Sequence, residues 1–174
     1  GGAAAVGENI ISEIKNEYEF TVYSTASHTR LRTGYYNGFK QIVFKKLPFK
    51  KINTLYYYIV SAIHAVLFGR YDLIHLHHRD AAFIIPLLKI KYKVIVTTHG
   101  SFGVLDKWKH FSWFLKLNEK YFVPKADIVC CVSMNEKRNY KLNTNIEPIY
   151  IPNGIRDIDI DSIKNLINKN YIFF

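Results

Sequence analysis

The most informative absence in this 174-residue chain is that of acidic side chains between Phe20 and Tyr71, where no aspartate or glutamate occurs. We call this segment the acid-free stretch. It carries eight cations, which are Arg30, Arg32, Lys40, Lys45, Lys46, Lys50, Lys51 and Arg70. They supply most of the net charge of +10, and a surface of one sign attracts anionic lipid, phosphorylated ligands or nucleic acid. The simpler alternative is a solvated basic face that only aids solubility.

Cysteine and long apolar runs are also scarce. Cys130 and Cys131 are the only cysteines, and neighbouring residues of a strand point to opposite faces, which disfavours a disulfide between them. Two apolar thiols in a buried strand indicate a reducing cytoplasm, and the first residues do not have the pattern of a secretory signal. The longest apolar run, from Thr54 to Phe68, is shorter than the ~20 residues that a membrane span needs.

The rest of the composition is that of a globular α/β domain, with 49% hydrophobic and 22% charged residues. Hydrophobic periodicity predicts strands at 20–24, 39–44, 72–77, 93–98, 127–132, 149–151 and 171–174, and helices at 3–16, 54–68, 80–88, 107–122, 135–141 and 159–168. Asn53, Asp80 and Ser133 are predicted helix caps. Strands that are apolar on both faces and alternate with helices predict a Rossmann-like parallel sheet with helices on both faces.

Parallel sheets bind ligands beyond the carboxyl ends of their strands, which directs attention to four loops. The first is Gly1-Gly2, which leads directly into a helix. A glycine turn lets backbone N–H groups approach a phosphate, and the amino end of a helix adds favourable electrostatics. The alternative is a flexible chain end. A further loop, at Ser133, opens a helix beside the same expected crevice.

Three histidines cluster at the end of the strand predicted for 72–77. His75 and His77 share one face and His78 points the other way. A metal site would need a third or fourth ligand, and no cysteine or glutamate lies nearby in sequence, so we favour polar lining of a cleft and expect no metal. Arg79 has the planar fork that suits an anionic group.

His99-Gly100-Ser101 follows the buried strand predicted for 93–98. A histidine at the carboxyl end of a central parallel strand faces the ligand crevice, where it can bind sugar hydroxyls or transfer protons near neutral pH. Gly100 lets the backbone approach a ligand closely. The alternative is a capping histidine in an ordinary loop.

Lysines and aromatic rings alternate between Tyr35 and Tyr58. Lys45, Lys46, Lys50 and Lys51 attract anionic headgroups, and their aromatic neighbours favour a membrane interface. The same composition also suits nucleic acid, but no RNA-binding signature accompanies it. We therefore expect an anionic membrane surface as the partner, and no nucleic acid.

Taken in order, these segments resemble the amino-terminal domain of family-4 retaining glycosyltransferases of the GT-B fold. The resemblance rests on Gly1-Gly2, Tyr71-Asp-Leu-Ile-His-Leu-His77, Val94-Ile-Val-Thr-Thr-His-Gly100, Ala126-Asp-Ile-Val-Cys-Cys-Val-Ser133 and Ile149-Tyr-Ile-Pro-Asn-Gly-Ile155. The segment Lys107–Lys120 is most similar to a rhamnosyltransferase-like subgroup.

The resemblance implies roles for individual residues. Gly1 and Gly2 match the loop against the donor diphosphate, and His99 matches the histidine near the transferred sugar. The predicted acceptor cleft comprises His77, Arg79, Gly100, Ser101 and Ser133. Members transfer a sugar from a nucleotide-sugar, usually without a metal, and we expect a lipid-linked or polysaccharide acceptor of surface-glycan synthesis at the inner face of the membrane.

The resemblance also implies a domain arrangement. Residues 1–155 form the acceptor-side domain, whose first strand is expected before Gly1, and residues 156–174 begin the nucleotide-binding second domain. This chain alone is then expected to bind donor poorly and to be inactive. Two alternatives remain: a non-catalytic module that binds anionic membrane or a partner enzyme, and a dinucleotide-dependent oxidoreductase. The latter is disfavoured because no G-x-G-x-x-G follows a strand.

Overall fold

The computed structural model describes residues 2–100 and 112–154. The elements in chain order are α1 (Gly2–Ile14), β1 (Phe20–Thr25), β2 (Gly34–Tyr36), β3 (Phe39–Phe44), α2 (Lys50–Phe68), β4 (Leu73–Leu76), α3 (Ile85–Leu88), β5 (Lys93–Thr98), α4 (Ser112–Leu117), β6 (Ile128–Cys131), α5 (Met134–Thr144) and β7 (Ile149–Tyr150). The helix predicted for 159–168 and the strand predicted for 171–174 lie outside the described residues.

The described strands form two sheets. The first sheet has the order β1-β3-β2, with β1 parallel to β3 and the short β2 antiparallel to it. The second sheet has the order β4-β5-β6-β7, and all of its strands are parallel. Together with the helices that flank it, the second sheet confirms the predicted Rossmann-like α/β class.

The core lies between the second sheet and the helices packed against it. Val94 and Val96 of β5 are completely buried, because β5 has a strand on each side and helices cover its faces. Ile85 and Leu88 of α3 join them, as does Tyr140 of α5. Such burial of apolar area is the main force that holds the sheet and its helices together.

A hydroxyl cluster links the two sheets. The hydroxyl oxygen Oη of Tyr23, in β1, lies 3.0 Å from Oη of Tyr71, which precedes β4. The same oxygen lies 3.0 Å from Nδ1 of His64, in α2. Desolvation, followed by hydrogen bonding to Tyr71, raises the pKa of Tyr23. The hydroxyl therefore stays protonated and keeps both contacts at physiological pH.

The start of α2 corrects the prediction for Asn53. The helix begins at Lys50, one turn earlier than predicted, so Asn53 lies inside it and is not its cap. Its buried side chain bonds two loops instead: Oδ1 accepts from Leu47 N at 2.7 Å, and Nδ2 donates to Ser27 Oγ at 3.0 Å. The side-chain amide of Asn53, which the sequence predicted to cap the helix, thus forms tertiary hydrogen bonds instead.

A second correction concerns Asp80. The turn of 3₁₀ helix over Arg79–Ile84, which leads into α3, is capped by His78, whose Nδ1 accepts from Asp80 N at 3.4 Å. Asp80 lies in the first turn itself. The prediction for Ser133 is confirmed, because its Oγ accepts from Glu136 N at 3.1 Å at the start of α5.

The segment after α4 widens into a π turn over Asn118–Phe122 and then tightens into a 3₁₀ turn over Val123–Lys125. Asn118 and Glu119 are both buried. Glu119 Oε1 accepts a hydrogen bond from Nη1 of Arg79, which is 4% exposed. Burial raises the pKa of Glu119 to about 7, against the lowering effect of Arg79. This ion pair joins the chain after β4 to the chain before β6.

The adjacent cysteines behave as predicted. Both are free and buried in β6, where Cys130 pairs with Thr97 and Cys131 with Thr98 of β5. Burial raises the pKa of each thiol, which keeps both in the protonated, apolar form.

Removing the carboxylate from the buried ion pair is expected to destabilise the fold. We expect Glu119→Ala to lower the free energy of unfolding by about 3–5 kcal/mol, because it leaves the buried Arg79 charge without this partner. Glu119→Gln keeps an acceptor oxygen and should cost less. The exposed Glu147 is the control, and Glu147→Ala should cost under about 1 kcal/mol. Urea unfolding measures the free energy of unfolding of all three variants. Equal decreases for Glu119→Ala and Glu147→Ala would contradict a stabilising role for the buried Arg79–Glu119 pair.

Candidate functional site

The carboxyl ends of three neighbouring strands meet at one edge of the second sheet. His77 follows β4, His99 and Gly100 follow β5, and Ser133 follows β6. Because β4, β5 and β6 are parallel and adjacent, these residues come to the same edge although 56 positions separate the first from the last. This edge is the candidate site.

Three imidazole rings form a row along this edge. The ring centroids of His75 and His77 are 4.0 Å apart, and those of His77 and His99 are 6.0 Å apart with ring planes 20° from parallel. His75 Nε2 lies 2.7 Å from Thr97 Oγ1 of β5, which fixes one end of the row. We call His75, His77 and His99 the histidine row.

All three rings of the histidine row are held neutral. Desolvation, followed by repulsion from the neighbouring imidazoles, lowers the pKa of His75 and of His77 to about 4. Desolvation, followed by repulsion from His78, lowers the pKa of His99. At physiological pH the row therefore presents neutral donors and acceptors, which suit hydroxyl groups better than anions.

Two ring nitrogens at this edge are buried without a hydrogen-bond partner among the described residues. They are His77 Nδ1 and His99 Nε2. A buried polar atom left unpaired costs about 1–3 kcal/mol, and a ligand that supplies its partner recovers that cost. The two nitrogens are thus the positions at which the edge can hold a polar ligand.

The backbone after His99 needs a glycine. Gly100 has φ of +136°, which side-chain-bearing residues rarely adopt, and a Cβ there would meet no neighbouring atom. The requirement is therefore conformational. The predicted cleft residue Ser101 lies outside the described residues.

In the structure, the side chain of Arg79 points into the protein interior. Its guanidinium faces Glu119 and is almost fully buried. Contact between Arg79 and an acceptor stays a prediction that this placement does not favour. His78 is not part of the histidine row, because its side chain lies beside Asp80, with Nδ1 at 3.2 Å from Asp80 Oδ2.

A buried acid behind the site was not singled out from sequence. Glu136 is fully buried in the first turn of α5, and its desolvation raises its pKa. Ser133 and Glu136 match the S-x-x-E pattern of a capping box, a signal that was present in the sequence. Glu119 left no comparable local signal, because its partner is 40 residues away.

The remaining predicted site residues lie elsewhere. Gly2 begins α1, and Gly1 lies outside the described residues. Lys45 and Lys46 are exposed after β3, and Lys50 and Lys51 form the start of α2. Within residues 2–100 and 112–154, no group of three or more histidine, cysteine, aspartate or glutamate residues is arranged to hold a metal ion.

The chain matches the model of a known protein family. The family model described as Glycosyltransferase Family 4 matches residues 1–157, which is most of the chain. No match was found among curated proteins or among solved structures.

The neutral histidine row predicts acid sensitivity. Between pH about 6.5 and about 4 the unfolded chain protonates at His77 while the folded chain does not, so stability falls as the pH falls through this window. Replacing His77 by glutamine removes the titration. We expect the wild type to lose up to about 2 kcal/mol more than His77→Gln between pH 7 and pH 4.5, measured by urea unfolding. If the free energy of unfolding fell equally with pH in both proteins, the pKa of His77 would not be lowered by folding.

Proposed function

Since the chain belongs to glycosyltransferase family 4, we propose that it is the acceptor-side domain of a transferase that moves a sugar from a nucleotide-sugar to a lipid-linked or polysaccharide acceptor. The proposed reaction retains the configuration of the transferred sugar and uses no metal. The proposed subgroup is the rhamnosyltransferase-like one, on the similarity of residues 107–120, which lie mostly outside the described residues.

The observation that carries this proposal is the histidine row at the carboxyl ends of β4 and β5. His77 and His99 each offer a ring nitrogen that has no partner among residues 2–100 and 112–154, and their depressed pKa values keep the rings uncharged. Sugar hydroxyls are neutral donors and acceptors, so an uncharged polar edge matches them. A row of imidazolium ions would attract phosphate instead.

The chemistry of glycosyl transfer gives the parts of the site distinct tasks. Positive charge develops on the sugar and negative charge on the leaving phosphate, so catalysis needs groups placed against both. In this proposal the neutral His99 orients the sugar without adding a repelling cation. The amino end of α1, which begins at Gly2, supplies the favourable electrostatics for the leaving diphosphate.

The nucleotide is proposed to bind mainly to a second domain that begins within residues 156–174. The first domain then supplies His99 and the acceptor cleft, and catalysis needs both halves. We propose accordingly that activity belongs to the full-length protein.

The surface of α2 supports a membrane location for the proposed enzyme. Ile52, Ile59, Ile63 and Leu67 are 55%, 45%, 43% and 65% exposed, and their spacing places them on one helix face. We call these four residues the α2 stripe. An exposed apolar stripe of this kind marks an interaction surface.

Charge selects anionic membrane as the proposed occupant of the α2 stripe. Lys45 and Lys46 precede the helix and Lys50 and Lys51 begin it, in a segment without any acidic residue. Apolar side chains beside lysines suit a helix that lies in the headgroup region. In the described part of the chain, no helix is both long and apolar enough to span a bilayer. The proposed association is therefore peripheral, at the inner face of the cell membrane.

The α2 stripe equally favours a second candidate, a non-catalytic module that docks on anionic membrane or on a partner enzyme. The two candidates differ at the histidine row, which only the enzyme requires. Variants of His99 therefore separate them.

Truncating His99 is expected to remove activity. In the full-length protein we expect His99→Ala to lower the rate of sugar transfer about 100-fold or more, because the group that orients the sugar is lost. His28→Ala, at an exposed histidine in the turn after β1, is the matched control and should retain the wild-type rate. Transfer is measured with a panel of nucleotide-sugars and membrane extract as acceptor. Unchanged transfer by His99→Ala would reject this site, and no transfer by the wild type with any donor would favour the module.

Reversing the charges beside α2 is expected to release the protein from membranes. The variant with Lys45, Lys46, Lys50 and Lys51 changed to Glu should lose flotation with anionic liposomes, since each lysine near the surface contributes about 1 kcal/mol. The control variant carries the same change at Lys116, Lys120, Lys125 and Lys141, outside the acid-free stretch, and should still float.

The apolar part of the membrane proposal has a separate test. Ile59→Ser with Ile63→Ser leaves the charge unchanged and should also weaken flotation, because less apolar area is buried in the interface. Undiminished flotation of both the lysine and the isoleucine variants would contradict membrane docking through α2.

A further inference from the structure

A basic cleft opens at the carboxyl ends of β1 and β3, in the first sheet. It has a volume of about 490 Å³, within the range typical of small-molecule sites. Arg30, Arg32 and Lys45 line it together with the apolar residues Val43 and Phe44. The cleft is built from a different sheet than the histidine row, and neither the family match nor the proposed reaction assigns it a task.

The loop that forms one wall of the cleft is held at both of its ends. Ala26 N donates to Phe44 O at 2.9 Å, which ties the start of the loop to the end of β3. Val43 N donates to Thr33 Oγ1 at 3.0 Å, which ties its far end to the same strand. Within the loop, Thr29 Oγ1 accepts from Leu31 N at 3.1 Å. The backbone that carries the two arginines is therefore preorganised.

No acidic residue in the described part of the chain neutralises the three cations of the cleft. Arg30, Arg32 and Lys45 are exposed, and none of them takes part in an ion pair with another described residue. The acid-free stretch surrounds them in sequence. Glu19 precedes β1 and lies about 20 Å from the carboxyl end of that strand at the usual rise per residue. Their positive potential is therefore open to a ligand.

The side-chain types select the ligand chemistry. Each arginine offers a planar fork of N–H donors that matches phosphate oxygens in pairs, and the lysine adds a mobile point charge. Three cations balance the two to three negative charges of a diphosphate ester. Val43 and Phe44 give the cleft an apolar wall against which the esterified group can pack.

We propose that Arg30, Arg32 and Lys45 form a binding site for a phosphate-bearing group, with a diphosphate ester as the best match. The proposal of this site rests only on the residues of the cleft and does not depend on the proposed transferase activity. If that activity holds, the cleft is where a phosphorylated acceptor is anchored, beside the lysines that begin α2.

Inorganic pyrophosphate is the probe for the site. Titration calorimetry of the full-length protein at low salt should show binding that weakens as salt is added. Changing Arg30, Arg32 and Lys45 together to Gln should weaken it at least 10-fold. The matched control changes Lys116, Lys120 and Lys125 to Gln, which removes the same charge elsewhere and should alter the affinity less than 2-fold. Equal weakening in both variants, or no binding by the wild type, would overturn the proposal.

Two further variants keep the interpretation specific. Arg30→Lys with Arg32→Lys preserves the charge but removes the planar forks, and we expect it to weaken pyrophosphate binding several-fold. Full affinity in this variant would reject paired recognition by arginine. His99→Ala should bind pyrophosphate as the wild type does, so a failure of the proposed catalysis is distinguishable from a failure of this site.

Vesicles identify the source of the phosphate. One set carries phosphatidic acid, which has a phosphomonoester headgroup, and the other carries phosphatidylglycerol, a phosphodiester, at equal surface charge. A preference for phosphatidic acid that the Arg30, Arg32 and Lys45 variant loses supports a lipid-borne ligand. Pyrophosphate binding without a vesicle preference supports a soluble phosphate ester. Absence of pyrophosphate binding by the wild type overturns the site, whichever vesicles the protein prefers.

Discussion

The parallel pairing of β5 with β4 on one side and β6 on the other is the constraint on which the candidate site depends. It places Thr97 beside the strand that carries His75, and it brings His77, His99 and Ser133 to one edge of the sheet. The pairing is stabilised because β5 lies between two strands and the face that carries Val94 and Val96 is inaccessible to solvent. Replacing Val94 or Val96 by a polar residue would therefore disturb the site through the sheet pairing.

The two sheets offer opposite chemistry at the same kind of position. At the carboxyl ends of the second sheet, desolvation and then mutual repulsion keep the histidine row neutral, which suits hydroxyl groups. At the carboxyl ends of the first sheet, the cations Arg30, Arg32 and Lys45 are exposed to water. Our proposals assign the histidine row to the sugar and the exposed cations of the first sheet to a phosphate-bearing group.

Two buried acidic residues lie behind the histidine row, and other interactions must offset the free energy of desolvating their carboxyl groups. Glu119 is bonded to Arg79, and desolvation raises the pKa of Glu119 and of Glu136. An isolated buried charge would be expensive, so such groups persist where they are paired or protonated. The Arg79–Glu119 pair fixes the segment after β4 against the π turn before β6, and so holds two of the loops that form the edge in one arrangement.

The sequence by itself determined the positions of β1 and of β3 to β7, the α/β class, the cap at Ser133 and the side shared by His75 and His77, whereas the short antiparallel β2 was not predicted. Each of these follows from residues a few positions apart, whose periodicity reports which side is buried. Only the tertiary structure decided that Arg79 turns inward to Glu119, that Asn53 bonds two loops inside α2, and that the histidines are neutral. Those outcomes depend on partners brought close by sheet pairing and on the desolvation that packing imposes. Neither can be read from local sequence, because both are properties of the assembled interior.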